Sequence, residues 1–315
     1  MSEAGLFIGI DTSCYTTSVA ADTGESIVHI KKPLRVKEGE CGLRQSEAVF
    51  QHVKNLPLCM DELKEQVDFK KFDNITVTVS SKPRNVDGSY MPVFTAGQAF
   101  AKVIADVTGA AYVETSHQEG HIMAAIHSCH KYSLLSEEFL TYHISGGTTE
   151  LLLVKPCRAG FECEIVGGTL DLPAGQFIDR IGVKLGMDFP CGKYLDYSAC
   201  EYNGEKSRIK TCVKDEYINF SGEETRYERF IEDGGNPELA AYCVMKCIAQ
   251  SVKQSVISAR NKYGVNNVLM VGGVSSSKFL RSEFSDMPNV FFAEAEFSTD
   301  NAVGVCQIGK LKYQK

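Results

Sequence analysis

Several patterns that would assign this chain to a common class of protein are missing from it. The chain has Cys 12 but no Cys-x-x-Cys pair, so a cysteine metal site is the less favoured interpretation. We expect most of these cysteines to be small buried groups in a reducing compartment. No apolar run reaches the roughly 20 residues of a membrane-spanning helix, and no membrane partner is expected. A strand-like segment follows residues 1–4 at once, so no secretory signal is visible and we expect a cytoplasmic location.

The chain also lacks an excess of positive charge. Its formal net charge is −7, which argues against a large nucleic-acid surface, because phosphate binding needs clustered cations. Local basic groups occur at 31–37 and 70–71. If RNA is bound, partner proteins are expected to supply part of the positive field.

A strand-turn-strand pattern occurs twice in the 315 residues. Residues 7–13 and 17–21 form the first copy, and residues 140–144 and 151–154 form the second. Each copy is followed by a further strand, at 74–79 and at 268–271. Two similar halves predict a duplicated α/β architecture with the ligand in the cleft between them.

Domain bounds and helices follow from the same pattern. We expect lobe I to comprise 1–130, completed by a C-terminal helix within 301–315, and lobe II to comprise 131–300. Apolar periodicity predicts helices at 45–66 and 94–107. A third helix is predicted from Asn236 and Pro237 to about Lys262, with Gly264 ending it.

Two histidines four residues apart, His117 and His121, are expected on one helix face, where they could bind one metal ion. Asp300 is a candidate third ligand. The alternatives stay open, because His-x-x-x-His pairs are often structural and an aspartate before a helix is often an N-cap. A zinc protease would need glutamate beside the first histidine, and that position is Gln118.

Two Gly-Gly turns follow strand-like segments. Ser145, Gly146 and Gly147 would expose successive N–H groups to an anion. Gly272 and Gly273 would let a base or ribose approach the backbone. Two carboxylates between these turns, Asp179 and Asp196, could accept ribose hydroxyls. Plain turns and surface carboxylates are the simpler interpretations.

Taken together, these motifs resemble the TsaD (YgjD, Gcp) family of threonylcarbamoyladenosine synthases over essentially the whole chain. That family belongs to the ASKHA superfamily, with the two-lobed fold of actin, Hsp70 and sugar kinases and a ligand cleft between the lobes. The segments similar to family motifs, in chain order, are 8–14, 52–56, 116–122, 145–147, 171–179, 189–192, 220–222, 272–275 and 298–301.

The resemblance implies an acyltransferase of tRNA processing. Such enzymes move the threonylcarbamoyl group of threonylcarbamoyl-AMP to N6 of the adenosine beside the anticodon. The resemblance also implies one divalent metal, iron or zinc, and an adenine nucleotide, ATP or threonylcarbamoyl-AMP. The implied partners are tRNA and TsaB-like and TsaE-like proteins, and a homo- or hetero-dimer.

Site residues carry over position by position. The implied metal ligands are His117, His121 and Asp300. The implied nucleotide-binding residues are His143, Ile144, Ser145, Gly146, Gly147, Asp179, Gly192, Asp196, Gly272, Gly273 and Ser277. No catalytic residue is implied with the same specificity, although Asp11 is a candidate.

Several proton-handling positions depart from the family pattern. The family's acidic pair is Tyr15 and Thr16 here, its Ser-Gly-Gly-His histidine is Thr148, and its Ala-Gly-Glu glutamate is Gln176. The family also has a glycine-rich segment between a strand and a helix. Residues 82–88 stand in its place here. Two alternatives to tRNA modification therefore stay open. One is a divergent paralogue that binds metal and an adenylate but acts on another acceptor, and the other is a non-catalytic partner subunit.

Overall fold

The computed structural model describes residues 5–13, 15–36, 43–158, 160–205 and 208–313. The chain divides into two compact units. The first comprises Met1–Tyr132, Pro156–Glu162 and Thr299–Lys315, and the second comprises Ser133–Lys155 and Cys163–Ser298. The lobe bounds at 130 and 300 stay a prediction.

The described residues contain twelve strands: β1 Leu6–Asp11, β2 Thr16–Asp22, β3 Ile27–Pro33, β4 Ile75–Lys82, β5 Ala111–Ser116, β6 Phe139–Ile144, β7 Thr149–Cys157, β8 Gly160–Thr169, β9 Val213–Lys214, β10 Tyr217–Ile218, β11 Val268–Val271 and β12 Val290–Phe292. The described helices are α1 Gln45–Gln66, α2 Phe94–Thr108, α3 His117–Ser128, α4 Ala174–Lys184, α5 Gly192–Glu201, α6 Ser221–Glu232, α7 Pro237–Tyr263, α8 Lys278–Glu283 and α9 Val303–Tyr313.

A five-stranded sheet with the order β3-β2-β1-β4-β5 forms the centre of the first unit. Strands β1, β2 and β3 are antiparallel neighbours, whereas β4 and β5 extend the sheet in parallel. Every residue of β1 is buried, as expected for a strand covered on both faces. Helix α1 contacts β2 and β3, α2 contacts β4, and α9 contacts β1 and β4.

The second unit repeats this arrangement. Its sheet has the order β12-β11-β6-β7-β8-β10-β9. Strands β6 and β7 are antiparallel, and β11 and β12 continue from β6 in parallel. The order β8-β7-β6-β11-β12 therefore matches β3-β2-β1-β4-β5, with β10 and β9 added at one edge. The predicted duplication is confirmed, and the chain has the two-sheet α/β fold expected of an ASKHA protein.

The predicted helices are present, with bounds set by local chemistry. Helix α1 has the predicted bounds, and α2 is one residue longer before the left-handed Gly109, with φ 72°. Helix α7 begins where the Asn236 side chain accepts the Leu239 N–H and ends at Gly264, with φ 68°. These two residues supply the bonds that a helix cannot make at its own ends.

The cysteines are less buried than the sequence suggested. Five of the ten described cysteines are buried, three are half-buried, and Cys200 and Cys212 are exposed. Cys14 and Cys41 lie outside the described residues. Among the described residues, no helix combines the length and apolar character needed to span a bilayer.

One glycine contact brings two helices of the first unit together. A Cβ atom placed on Gly304, in α9, would lie 1.8 Å from the carbonyl oxygen of Gly120 and 2.6 Å from the Ala124 nitrogen, both in α3. Only a residue without a side chain allows this approach. The close packing of α9 on α3 carries the segment just before α9, including Asp300, to the first turn of α3.

Candidate functional site

Helix α3 begins with a capping box. The Ser116 hydroxyl accepts the Glu119 N–H at 3.2 Å, and the Glu119 carboxylate accepts the Ser116 N–H at 2.9 Å. Glu119 also accepts the Ser116 hydroxyl at 2.7 Å and the Phe161 N–H at 3.2 Å. This buried carboxylate therefore fixes the start of the helix, on which His117 and His121 share one face as predicted.

Three of the predicted site residues meet at this helix start. The Nε2 atoms of His117 and His121 lie 3.0 Å apart. Oδ1 of Asp300 lies 3.6 Å from each of them. The His121 side chain is 7% exposed and the other two are about a fifth exposed, at 17% and 21%. Two imidazoles and a distant carboxylate thus point their ligand atoms at one place.

Asp11 contacts the ring nitrogen of His117 that is not used towards His121 and Asp300. Oδ1 of Asp11 lies 3.3 Å from Nδ1 of His117, and Oδ2 accepts the Ser13 hydroxyl at 2.6 Å. Burial raises the pKa of Asp11, but the charge and hydrogen bond of His117 outweigh burial and hold that pKa below its ordinary value. Burial lowers the pKa of His117, yet Asp11 and Asp300 together raise it to about 9. In the absence of a metal, His117 and the two carboxylates therefore favour each other's charged forms.

Asp300 interacts mainly with the two histidines of the cluster. Burial raises its pKa, but a hydrogen bond from His121, the charges of both histidines and the N–H of Tyr15 lower it to about 2. At the start of α9, the Gly304 N–H points to the side chain of Asn301 instead, at 3.5 Å. Asn301 therefore supplies a side-chain acceptor at the start of this helix.

The two residues at the family's acidic positions, Tyr15 and Thr16, follow Asp11 by a few positions in the chain. The Tyr15 side chain is 48% exposed, and its N–H contributes to holding Asp300. Thr16 is the first residue of β2 and pairs with Pro33. Because the contact of Tyr15 with Asp300 uses the peptide N–H, a change of side chain at position 15 leaves it in place.

The cluster fits a divalent metal. Its ligand atoms all lie within 4.8 Å of one another. Ligands about 2.0–2.2 Å from one ion at tetrahedral angles are roughly 3.3–3.6 Å apart, close to the separations found here. A second-sphere carboxylate on the far nitrogen of a histidine ligand is the usual support for a bound metal, and Asp11 supplies it. Nitrogen and oxygen donors of this kind suit zinc or iron.

In the second unit, the predicted phosphate loop is a tight turn between β6 and β7. The Ser145 N–H donates to the Thr148 carbonyl at 2.7 Å, and the Thr148 N–H donates to the Ser145 hydroxyl at 3.1 Å. Gly146 and Gly147 have open space where a Cβ would be. The loop thus presents glycine backbone at the end of β6, after His143 and Ile144.

Gly272 follows the neighbouring strand β11 and lies against the same loop. A Cβ at Gly272 would lie 2.4 Å from the Ile144 carbonyl oxygen, and its φ of 92° is left-handed. Gly273 has open space at the same position. The two Gly-Gly turns are therefore adjacent, with Gly272 serving close packing and Gly273 unobstructed.

The two predicted ribose carboxylates already have protein partners. Asp179 accepts the Cys191 N–H at 2.8 Å, while burial raises its pKa. Asp196 accepts the N–H groups of Lys278 and Phe279, each at 3.0 Å, and the Ser277 hydroxyl. Asp196 therefore supports the start of α8, and both acids retain only part of their hydrogen-bonding capacity for a ligand. Gly192, the first residue of α5, has open space.

Two supporting residues carry roles that the sequence analysis did not assign. For Glu119, the signal is present as Ser-x-x-Glu before an apolar segment, the signature of a capping box. For Asp11, the sequence shows only an aspartate at the end of a buried strand. Its pairing with His117 depends on the order of strands in the sheet.

The fold is similar to that of solved structures with little sequence identity. The structure of HypF from T. kodakarensis gives a TM-score of 0.57 at 14% identity, covering 99% of this chain and 48% of that chain. Full-length HypF in the phosphate- and nucleotide-bound form gives 0.62 at 12% identity, covering 99% and 46%. The chain thus spans about half the length of those proteins, and the likeness shows the ASKHA fold alone.

Sequence relatives cover the chain almost completely. The protein named tRNA N6-adenosine threonylcarbamoyltransferase from Thermosipho africanus is 26% identical over 328 residues, which is 98% of this chain and 95% of the relative. The protein of that name from Persephonella marina is 27% identical over 98% of this chain and 90% of its own length. The family model of TsaD, described as tRNA N6-adenosine threonylcarbamoyltransferase, matches residues 6–305. The chain therefore belongs to the TsaD family.

Proposed function

We propose that this chain transfers a threonylcarbamoyl group from threonylcarbamoyl-AMP to N6 of the adenosine beside the anticodon in tRNA. The observation that carries the proposal is the cluster of His117, His121 and Asp300 in a chain that matches the TsaD model over residues 6–305. The family implies a metal and an ATP-derived substrate. We further propose iron or zinc as the metal and threonylcarbamoyl-AMP or ATP as the nucleotide.

His117, His121 and Asp300 would hold the ion, with Asp11 fixing the ring of His117. When bound, the ion would supply Lewis acidity to an oxygen of the carbamoyl or phosphate group. Asp11 keeps Nδ1 of His117 engaged, so that Nε2 is the nitrogen left for the ion. No carboxylate base is assigned, because Tyr15 and Thr16 occupy the family's acidic positions.

The nucleotide would lie along the loops of the second unit. The backbone N–H groups of Gly146 and Gly147 would face the phosphate, because consecutive N–H groups in a glycine turn bind anions. Ser145 would close the turn beside it, since its own N–H donates to the Thr148 carbonyl. Asp179, Gly192 and Asp196 would face the ribose, with Ser277 and the open backbone of Gly273 near the base. A ribose hydroxyl that donates to Asp196 would share its carboxylate with the N–H groups of Lys278 and Phe279 at the start of α8.

The direct test is transfer by the purified chain. Metal-loaded protein is mixed with threonylcarbamoyl-AMP and a tRNA that carries the target adenosine, with TsaB-like and TsaE-like proteins present. Digested nucleosides are then analysed by mass spectrometry. We expect threonylcarbamoyladenosine from the wild type and none from His121→Ala. A wild type that binds metal and adenylate but never modifies tRNA would refute the proposal.

A second acceptor is the alternative that a specific observation favours. Neither Tyr15 nor Thr16 can act as a carboxylate base, whereas the metal cluster is complete. The paired change Tyr15→Asp with Thr16→Glu keeps the peptide N–H that contributes to holding Asp300. Activity on tRNA that appears only in this variant would favour a paralogue with a different natural acceptor. Absence of metal and nucleotide binding would favour a non-catalytic partner.

An exposed apolar surface supports the proposal of a protein partner. Val103 and Val107 on α2 are 62% and 81% exposed, and Phe50 and Val53 on α1 are each 54% exposed. Their spacing places each pair on one helix face, and α1 and α2 contact each other. Exposed apolar side chains at helical spacing suit a partner helix. We propose a TsaB-like protein as the occupant, with a second copy of this chain as the alternative outcome of a co-purification experiment.

A cytoplasmic location stays a prediction.

A further inference from the structure

Helix α5 exposes aromatic side chains that no contact described above uses. Tyr194 is 56% exposed and Tyr197 is 68% exposed. Residues three positions apart on a helix are neighbours on its surface, so the two side chains leave the same part of α5. Phe189, in the turn before α5, is 67% exposed. These three residues are called the aromatic surface below.

The aromatic surface is not needed to bury α5. Leu195 and Ala199 form the inner face of this helix, at 0% and 2% exposure. Large rings on the outer face gain little from folding, because their area stays in water. Three exposed rings within nine residues mark an interaction site more specifically than scattered aliphatic residues do.

Two exposed lysines lie on or beside α5. Lys193 is exposed and lies one helical turn before Tyr197. Lys278 is exposed, and its N–H donates to the Asp196 carboxylate at 3.0 Å, which places it beside α5. Within the described parts of the chain, neither ammonium has a carboxylate partner, whereas Lys184 is paired with Glu232. The exposed acids Asp188 and Glu201 lie at the two ends of this stretch.

We propose that the aromatic surface stacks unpaired bases of an RNA, with Lys193 and Lys278 contacting its phosphates. This inference rests on the proposed function, in which tRNA is the acceptor. Aromatic rings stack on any base, whereas lysines bind the backbone. With a net charge of −7 on the chain, stacking carries more of the affinity than phosphate contacts do.

The position of the surface on α5 connects it to the proposed nucleotide site. Gly192 begins the same helix, and Asp196 projects from it towards α8. RNA bases stacked on Tyr194 and Tyr197 would therefore lie along a helix whose other residues face the adenylate. The apolar surface of α1 and α2 has a single aromatic ring, that of Phe50, and no pair of rings. A protein is therefore proposed there and an RNA here.

The test measures RNA affinity by fluorescence anisotropy, using metal-loaded full-length protein. The probes are a labelled anticodon stem-loop with a single-stranded loop and a blunt RNA duplex. The variant Tyr194→Ala with Tyr197→Ala should bind the stem-loop at least about tenfold more weakly. The matched variant Tyr194→Phe with Tyr197→Phe should bind like the wild type, because phenyl rings also stack. Ile257→Ala, which removes an exposed apolar side chain of α7, should have no effect.

A second variant separates phosphate contact from stacking. Lys193→Gln should weaken stem-loop and duplex binding to a similar degree and lower the slope of log affinity against log salt by about one. The side chains substituted in these variants are all solvent-exposed, so thermal melts should match the wild type and exclude misfolding.

The outcomes distinguish this inference from the proposed function. A wild type that modifies tRNA, together with an alanine variant that binds the stem-loop normally, would overturn the aromatic surface alone. A wild type that neither binds nor modifies tRNA would overturn both. Retained RNA affinity with loss of a co-purifying protein would show that the surface docks a protein instead.

Discussion

Nδ1 of His117 lies 3.3 Å from Oδ1 of Asp11, although the two residues are 106 positions apart in the chain. The contact places a carboxylate behind the first histidine of the metal cluster. Such a carboxylate orients the ring and increases the basicity of the ligand nitrogen, and removing it usually weakens metal binding about 10–100-fold. We therefore expect Asp11→Asn to bind zinc about 10–100-fold more weakly, with one ion per chain retained, as measured by competition with a chromogenic chelator.

The matched control is another buried carboxylate of the same sheet. Asp22 is 3% exposed and bonds to Gln307 and Lys310, away from the cluster. Asp22→Asn should lower stability and leave zinc affinity unchanged. Equal zinc affinities for wild type and Asp11→Asn would mean that Asp11 does not support the metal site.

Gly304 offers a test of how helix packing positions the third ligand. A methyl group there would overlap the Gly120 carbonyl oxygen, at 1.8 Å, so α9 must move away from α3. Overpacking of this kind costs about 1–3 kcal/mol. Gly304→Ala should lower the thermal midpoint and also weaken zinc binding, because Asp300 precedes α9.

The control for Gly304 is Gly222, a helical glycine at which an added Cβ would meet no atom within 4 Å. Gly222→Ala should be neutral or slightly stabilising, since alanine is the better helix former. Loss of stability in Gly304→Ala without any loss of zinc affinity would show that Asp300 is positioned independently of the α3–α9 contact.

Local features of the sequence were sufficient to predict much of the fold. Asn236, Pro237 and Gly264 each act within a few residues of themselves, so they set the ends of α7 without reference to the rest of the chain. The repeated hairpins likewise predict the two sheets, because alternation and glycine turns are local signals. The His-x-x-x-His spacing predicts a shared helix face for the same reason.

The remaining features depend on contacts between distant segments. Asp11 reaches His117 because β1 and β4 are parallel neighbours and β5 leads into α3. Asp196 has the sequence context of a surface carboxylate, yet it bonds to the backbone of α8, more than eighty residues later. Neither pairing leaves a periodic pattern in the chain, and only the folded topology reveals it.

Two histidines, His52 buried and His29 half-buried, predict how stability changes with pH. Burial lowers the pKa of His52 to about 4, and burial with the charge of Lys31 lowers the pKa of His29 to about 4. In the unfolded chain both have a pKa near 6.5, so between pH 6.5 and 4 the unfolded state binds more protons. Stability should therefore fall as the pH decreases through this window, by up to about 1.4 kcal/mol per pH unit for each histidine.

Urea unfolding of metal-free protein at several pH values measures this slope. His52→Asn removes one of the titrating groups while leaving a polar partner for Thr17, which lies 2.8 Å from Nδ1 of His52. Its stability at pH 7 should be lower, but the dependence on pH below 6.5 should be shallower. A slope identical to that of the wild type would show that His52 does not remain neutral in the folded state.

Glu119 provides the last prediction, because it joins the start of α3 to the start of β8. Its Oε2 accepts the N–H and hydroxyl of Ser116, and its Oε1 accepts the Phe161 N–H. In Glu119→Gln, one oxygen becomes an amide donor, so at least one buried donor loses its acceptor, at about 1–3 kcal/mol. Hydrogen exchange should then accelerate at the first turn of α3 and at Phe161 together. Glu114→Gln, an exposed change on β5, should alter neither region. Faster exchange at α3 without any change at Phe161 would show that the contact with Glu119 does not stabilise the start of β8.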